Sequence, residues 1–131
     1  MDVLADSDSM QNFITRVQQL AELSDRDETE RIIHGTLGTL AETITGGQMG
    51  DLAPTLPVEL RPEIDESRGQ ARQFDKGAFL DRVTGQIDTI DLDKAEKQVR
   101  AVLRTLYEWA PEGEINDTLA QLPPELSAMF E

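Results

Sequence analysis

Apolar positions along the chain recur with helical spacing. Met10, Phe13, Ile14, Val17, Leu20 and Ala21 follow the i, i+3, i+4, i+7 rule of an amphipathic helix, with Ser9 as the expected N-cap. A break at Leu23-Ser24-Asp25 lets Ser24 or Asp25 cap a second helix. Its acidic first turn, Asp27, Glu28 and Glu30, suits the positive end of a helix dipole. That helix carries Ile33, Leu37, Leu40, Ala41 and Ile44 and is expected to stop at Gly46-Gly47 in a left-handed C-cap. A short third helix is predicted over 49–53, and Pro57 suits the first turn of a fourth that ends at Ile64.

The pattern then returns. Asp75 caps a helix bearing Phe79, Leu80, Val83 and Ile87, and Asp91 caps a long one with Ala95, Val99, Val102, Leu103 and Leu106 that closes near Trp109-Ala110-Pro111. Short helices follow over 114–121 and 123–130. No stretch alternates with period two, so no strand is predicted. Trp109 and Tyr107 are expected to finish the core or cover its edge.

Laying residues 13–60 on 79–126, an ungapped offset of 66, gives identities that fall on core and punctuation positions. They include Phe13/Phe79, Arg16/Arg82, Val17/Val83, Asp25/Asp91, Glu30/Glu96, Leu37/Leu103, Leu40/Leu106, Glu42/Glu108, Pro57/Pro123 and Glu59/Glu125. Chance supplies only a few such matches over this span, so the chain reads as a tandem duplication. The expected fold is all-α: a helical bundle of two repeated units, each with about two long and two short helices, packed with approximate two-fold symmetry. The expected organisation is a flexible N-terminus over 1–9, a first repeat over 10–64, a polar linker over 65–74 and a second repeat over 75–131. One hairpin offers a single apolar stripe, too little for stability alone, so the two repeats are expected to share one core.

Punctuation and repeat together resemble a known family. The runs Phe13-Ile14-Thr15-Arg16-Val17, Leu37-Gly38-Thr39-Leu40-Ala41-Glu42 and Leu56-Pro57-Val58-Glu59-Leu60 return as Phe79-Leu80-Asp81-Arg82-Val83, Leu103-Arg104-Thr105-Leu106-Tyr107-Glu108 and Leu122-Pro123-Pro124-Glu125-Leu126. In this combination the chain is similar to the prokaryotic domain-of-unknown-function 2267 family over nearly its whole length except residues 1–9. The resemblance implies a small all-helical protein with the duplication built in. It implies no activity, substrate or catalytic residue.

Charge changes the picture of the surface. The 131 residues hold 26 Asp plus Glu against 12 Lys plus Arg, a formal charge of −14. Residues 1–66 carry 14 acids and 4 bases and residues 67–131 carry 12 and 8, so the excess is unequal. Such a charge opposes direct binding to nucleic acid or to an anionic membrane. The bases are nine Arg and only three Lys. Two readings of that bias stand open, a surface suited to concentrated internal salt and an Arg-rich genome. The absence of Cys excludes disulfides, thiolate metal sites and a cysteine nucleophile. No apolar run approaches a membrane span and no basic, apolar leader opens the chain, so a cytoplasmic protein is expected.

Candidate chemistry is sparse. His34, the only histidine, could share a metal with Glu30 on one helix face, but the counterparts at 96 and 100 are Glu and Arg, and no Glu-x-x-His motif exists. No Gly-x-Ser-x-Gly elbow is present. Gly35 and Gly38 lie within a helical period without a preceding strand, so close helix approach explains them better than a phosphate loop. Asp88-x-x-Asp91-x-Asp93 lacks the Gly and Glu of a calcium loop. No cofactor, metal or catalytic residue is therefore assigned. Arg16 and Arg82 are the repeated basic residues of the first helix of each unit. They are expected to pair with Glu30 and Glu96 or with Glu42 and Glu108, tying the two long helices within each repeat, or else to flank one anion site.

Three functional classes stay open. The leading one is a non-enzymatic protein-interaction module, with an exposed stripe along Leu52, Leu56, Leu60, Leu119, Leu122, Leu126, Met129 and Phe130 as its contact. The second is an acidic regulator or mimic that binds a basic nucleic-acid-binding protein, and the third a small metal-dependent enzyme. The protein partner and the oligomeric state are not specified by the sequence.

Overall fold

The first helix shows how local chemistry sets the frame. Ser7 accepts a 3.1 Å hydrogen bond on its hydroxyl from the Met10 amide and so caps α1, Asp8–Ala21. Ser9, the expected cap, lies inside the first turn, where its backbone is already helical. Ser7 itself is held from a distance, donating its amide (2.6 Å) and its hydroxyl (3.0 Å) to the Glu59 carboxylate. The helix buries Met10, Phe13, Ile14, Val17 and Ala21, the stripe that periodicity predicts, and ends at Glu22 in the left-handed region at φ 57°.

The structure, a computed structural model, describes residues 7–87 and 91–131. The side chains of residues 86, 87 and 92 fall outside it, as do residues 1–6. The core role expected of Ile87, the first six residues of the flexible N-terminus expected over 1–9 and the Asp88 end of the calcium-like run therefore lie outside the described residues, while residues 7–9 form the cap and start of α1.

Asp25 caps α2, Arg26–Thr43, accepting from the amides of Asp27 (2.9 Å) and Glu28 (3.3 Å). The expected left-handed stop at Gly46-Gly47 does not occur. Ile44 ends the helix in extended conformation, and Thr45 caps a new helix, α3, Gly46–Leu52, by accepting from the Gln48 amide at 3.2 Å. The two glycines thus open a helix rather than close one. Gly46 is explained by close approach instead: a Cβ there would stand 3.2 Å from the Cα of Gly69, which itself sits at φ +96°. A turn at Val58–Leu60 leads into α4, Arg61–Ser67. Because α4 takes up residues 65–67, the connecting stretch is shorter than expected. It is fastened by the Arg72 amide, which donates to the Glu42 carbonyl at 2.7 Å.

The second half holds α5, Lys76–Ile87, α6, Leu92–Trp109, α7, Glu112–Ala120, and α8, Pro124–Ser127, followed by a turn at Ala128–Phe130. Asp75 caps α5 through the Ala78 amide (2.8 Å), and Asp91 caps α6 through that of Lys94 (3.0 Å). Among the described residues there are eight α-helices and no strand.

The halves interlock. Helix α1 packs on α6, α5 packs on α2, and α3 packs on α7, so the first helix of each half lies on the long helix of the other. The buried apolar residues form one cluster, with Phe13, Phe79 and Phe130 fully enclosed. Trp109 is half-buried and meets Phe13 edge to face, ring centroids 5.2 Å apart, at the core's margin.

The leucine stripe expected at the surface is not there. Leu52, Leu56, Leu60, Leu122, Leu126, Met129 and Phe130 are all buried, and Leu119 is half-buried. The short helices fold back and close the core with these side chains, because a bundle of this size leaves the ends of its long helices uncovered. Among the described residues, the exposed large hydrophobic side chains are Val58 and Tyr107.

Candidate functional site

The repeated arginines make ion pairs, but across the halves rather than within them. Arg16 on α1 grips Glu108 on α6 through two hydrogen bonds, Nε at 2.8 Å and Nη2 at 2.7 Å. Arg82 on α5 grips Glu42 on α2 in the same way, at 3.1 and 2.9 Å. The expected tie within each repeat is thus replaced by one between them, since α1 lies on α6 and α5 on α2. Glu30 and Glu96 are not partners of these arginines. Glu30 takes Arg26 at 3.3 Å, and Glu96 takes both Lys76 and Arg100 at 3.0 Å. Each repeated arginine thus has its own carboxylate, and the single anion site flanked by both is not supported.

Three carboxyls are held below their ordinary range. The hydrogen bond from Arg16 holds the Glu108 carboxyl below its ordinary range against the opposing effect of partial burial, and the charges of Arg16 and Arg104 add to it. Lys76, by its hydrogen bond, does the same for Glu96, helped by Arg100. At Glu59, burial raises the carboxyl, but bonds from the Ser7 amide, from its own amide and from the Ser7 hydroxyl together bring it below the usual value. Glu59 and its counterpart Glu125 both hold the start of the first helix of their half: Glu125 accepts from the Lys76 amide at 3.3 Å. Their identity under the 66-residue offset was the sequence signal for this role.

The histidine lies in a cleft of about 520 Å³ between α2 and α4. Asp27, Glu30, Arg31, His34 and Gly35 from α2 line it with Glu63 from α4. Positions 27, 30, 31 and 34 share one face of α2 by helical spacing. Glu63 arrives from 29 residues away and places Oε2 2.5 Å from His34 Nδ1. The carboxylate lies against Gly38, where an added Cβ would meet Glu63 Oε1 in van der Waals contact at 3.4 Å. At Gly38 the neighbour is thus the Glu63 side chain of α4.

Chemically, the cleft presents three carboxylates against one guanidinium, with the imidazole tied to one of the acids. His34 does not pair with Glu30, the partner considered from sequence. Among the described residues no group of three or more His, Asp or Glu side chains could hold a metal ion. No nucleophilic hydroxyl lines the cleft. Its chemistry is that of a negatively charged, open recess suited to a cation.

The family model for an uncharacterized conserved protein (DUF2267) matches residues 10–129. No curated protein matches the chain. No helix among the described residues is long and apolar enough to cross a membrane.

Proposed function

For a chain that belongs to the DUF2267 family of uncharacterized conserved proteins, we propose a non-enzymatic role: an acidic helical module that binds a basic protein partner in the cytoplasm. The observation that carries this reading is the burial of the apolar stripe. With those side chains inside, the charges left for recognition are 26 acids against 12 bases, and the cleft at Asp27, Glu30 and Glu63 is a recess among them. A lysine or arginine side chain of the partner is the complementary group. Such contacts favour fast, salt-sensitive association more than high affinity.

The same reading treats the chain as a tandem duplication with approximate two-fold symmetry. Shifting both members of Arg16–Glu108 by 66 positions yields Arg82–Glu42. Two further contacts join a residue to its own counterpart: Gln48 Nε2 donates to the Glu114 carbonyl at 3.0 Å, and Glu28 pairs with Lys94 at 3.7 Å. Contacts of that kind belong at a two-fold axis. They support a fold in which each repeat lends its first helix to the other.

The test is calorimetric titration with an arginine-rich peptide, at low salt and again at high salt. Binding that weakens with salt and falls in the D27N/E30Q double variant is the expected result. Binding left unchanged by that variant, or no binding at low salt, overturns the reading.

A further inference from the structure

The face of α6 that corresponds to the acidic cleft of α2 has a different chemistry. Shifted by 66, positions 27, 30, 31, 34 and 35 become Asp93, Glu96, Lys97, Arg100 and Ala101, and all five line a second cleft of about 480 Å³. Leu20, Arg104 and Glu131 complete it. Its three cations, Lys97, Arg100 and Arg104, match its three carboxylates, whereas the α2 cleft carries three carboxylates against Arg31 alone. Two further matched positions differ. Where Glu63 covers Gly38 in the first cleft, the position matching 63 is Met129, fully buried, and the position matching 38 is Arg104.

The arginines are oriented without being used up. Arg100 donates Nε–H to Glu96 at 3.0 Å, and Glu96 is shared with Lys76. Arg104 points Nε toward Glu108 at 3.4 Å, and that carboxylate is taken bidentately by Arg16. The Arg104 guanidinium also rests over the Tyr107 ring, 5.3 Å from its centre. Among the described residues no hydrogen bond is made by the terminal Nη groups of either arginine. Four cations therefore share two carboxylates, and two guanidiniums lining one recess keep their terminal donors available. Guanidinium forks of this kind suit planar or tetrahedral oxyanions.

The geometry points to a site for a small organic anion in the α6 cleft: a carboxylate or phosphate head held by the Nη groups of Arg100 and Arg104, with an apolar body over Leu20 and Ala101. This site is independent of the basic-partner reading of the α2 cleft and carries opposite charge preference.

Amide-resolved NMR titration with octanoate, octyl phosphate, inorganic phosphate and octylammonium tests it. Either octyl anion is expected to give saturable shifts at Leu20, Ala101 and Arg104, and the tighter of the two identifies the head group. Inorganic phosphate is expected to bind about tenfold more weakly, lacking the apolar body, and octylammonium to leave these amides unmoved. R100Q should weaken binding by about tenfold or more, the worth of a charge-assisted hydrogen bond. R100K, which keeps the charge without the fork, should fall between. Arg100 is half-buried, and a thermal melt of each variant establishes that it is folded. Absence of saturable shifts with either octyl anion, equal shifts from octylammonium, or unchanged affinity in folded R100Q overturns the proposal.

Discussion

The clefts on α2 and α6 occupy corresponding positions 66 residues apart, yet they differ in what holds their charged groups. On α2, His34 is tied to Glu63, an acid delivered by α4 across the bare backbone of Gly38. On α6, Met129 is buried at the position matching Glu63, and Arg100 and Arg104 line the cleft with terminal donors to spare. The difference teaches that a shared core and a shared surface are separate matters in this chain. Phe13 and Phe79, Val17 and Val83, Leu40 and Leu106 are equally enclosed. Changes at solvent-facing positions cost little stability, so those positions tolerate difference where the matched core does not.

The most forceful way to break the comparison is at the side chains that close the core. Leu60→Ala and Leu126→Ala, matched and both fully buried, are each expected to lose about 2–5 kcal/mol in denaturant unfolding, with a single transition. A loss near zero in either would return that leucine to the surface stripe expected from sequence.

The ion pairs sharpen it next. Glu42 keeps only 7% of its side chain exposed, against 27% for Glu108. Removing Arg82 therefore strands a nearly enclosed carboxylate, and Arg82→Ala is expected to cost about 1–2 kcal/mol, moderated because the arginine itself is half-exposed. Arg16→Ala is expected to cost less, and parallel denaturation curves decide the order. The weaker pair still leaves a mark in acid. Because the folded Glu108 carboxyl is held below its ordinary value, its contribution is fully present above the unfolded value. It is lost as pH falls through the folded one. Glu108→Gln is expected to flatten the acid limb of stability against pH, read from urea midpoints between neutral and strongly acidic pH.

A small asymmetry inside the core is of comparable size but opposite in sign. Thr36 is fully buried with its hydroxyl unbonded, and the matching position on α6 is Val102, equally buried. Thr36→Val is expected to stabilise the protein by about 1 kcal/mol by removing an unsatisfied polar atom at nearly constant shape. An unchanged or lower thermal midpoint would show that the hydroxyl finds a partner in solution.

Much of this was legible beforehand. The buried apolar stripes of α1, α5 and α6, the caps at Asp25, Asp75 and Asp91, and the similarity to the family all follow from local pattern, whereas α2 is buried all round over residues 35–43 rather than along one stripe. The failures share a cause. Ser9 and Ser7 both resemble caps, and only the reach of Glu59 from position 59 shows which one ends the helix. Gly46-Gly47 carries a stop signal, but the passing chain at Gly69 and the hydroxyl of Thr45 make it a start. The leucines of the short helices look like a contact surface until the long helices they cover are in place. His34 has Glu30 one turn away, yet Glu63 takes it.

Sequence by itself determined the all-helical architecture, the family, and the apolar stripes of α1 and α6, because periodicity and capping act within a few residues. Tertiary structure alone decided that Arg16 and Arg82 reach into the opposite halves, that Glu63 closes the cleft at His34, and that Arg100 and Arg104 keep free donors. Those outcomes depend on which helix lies on which. Packing of distant apolar faces sets that arrangement, and a charged side chain then takes whichever partner the packing brings within reach.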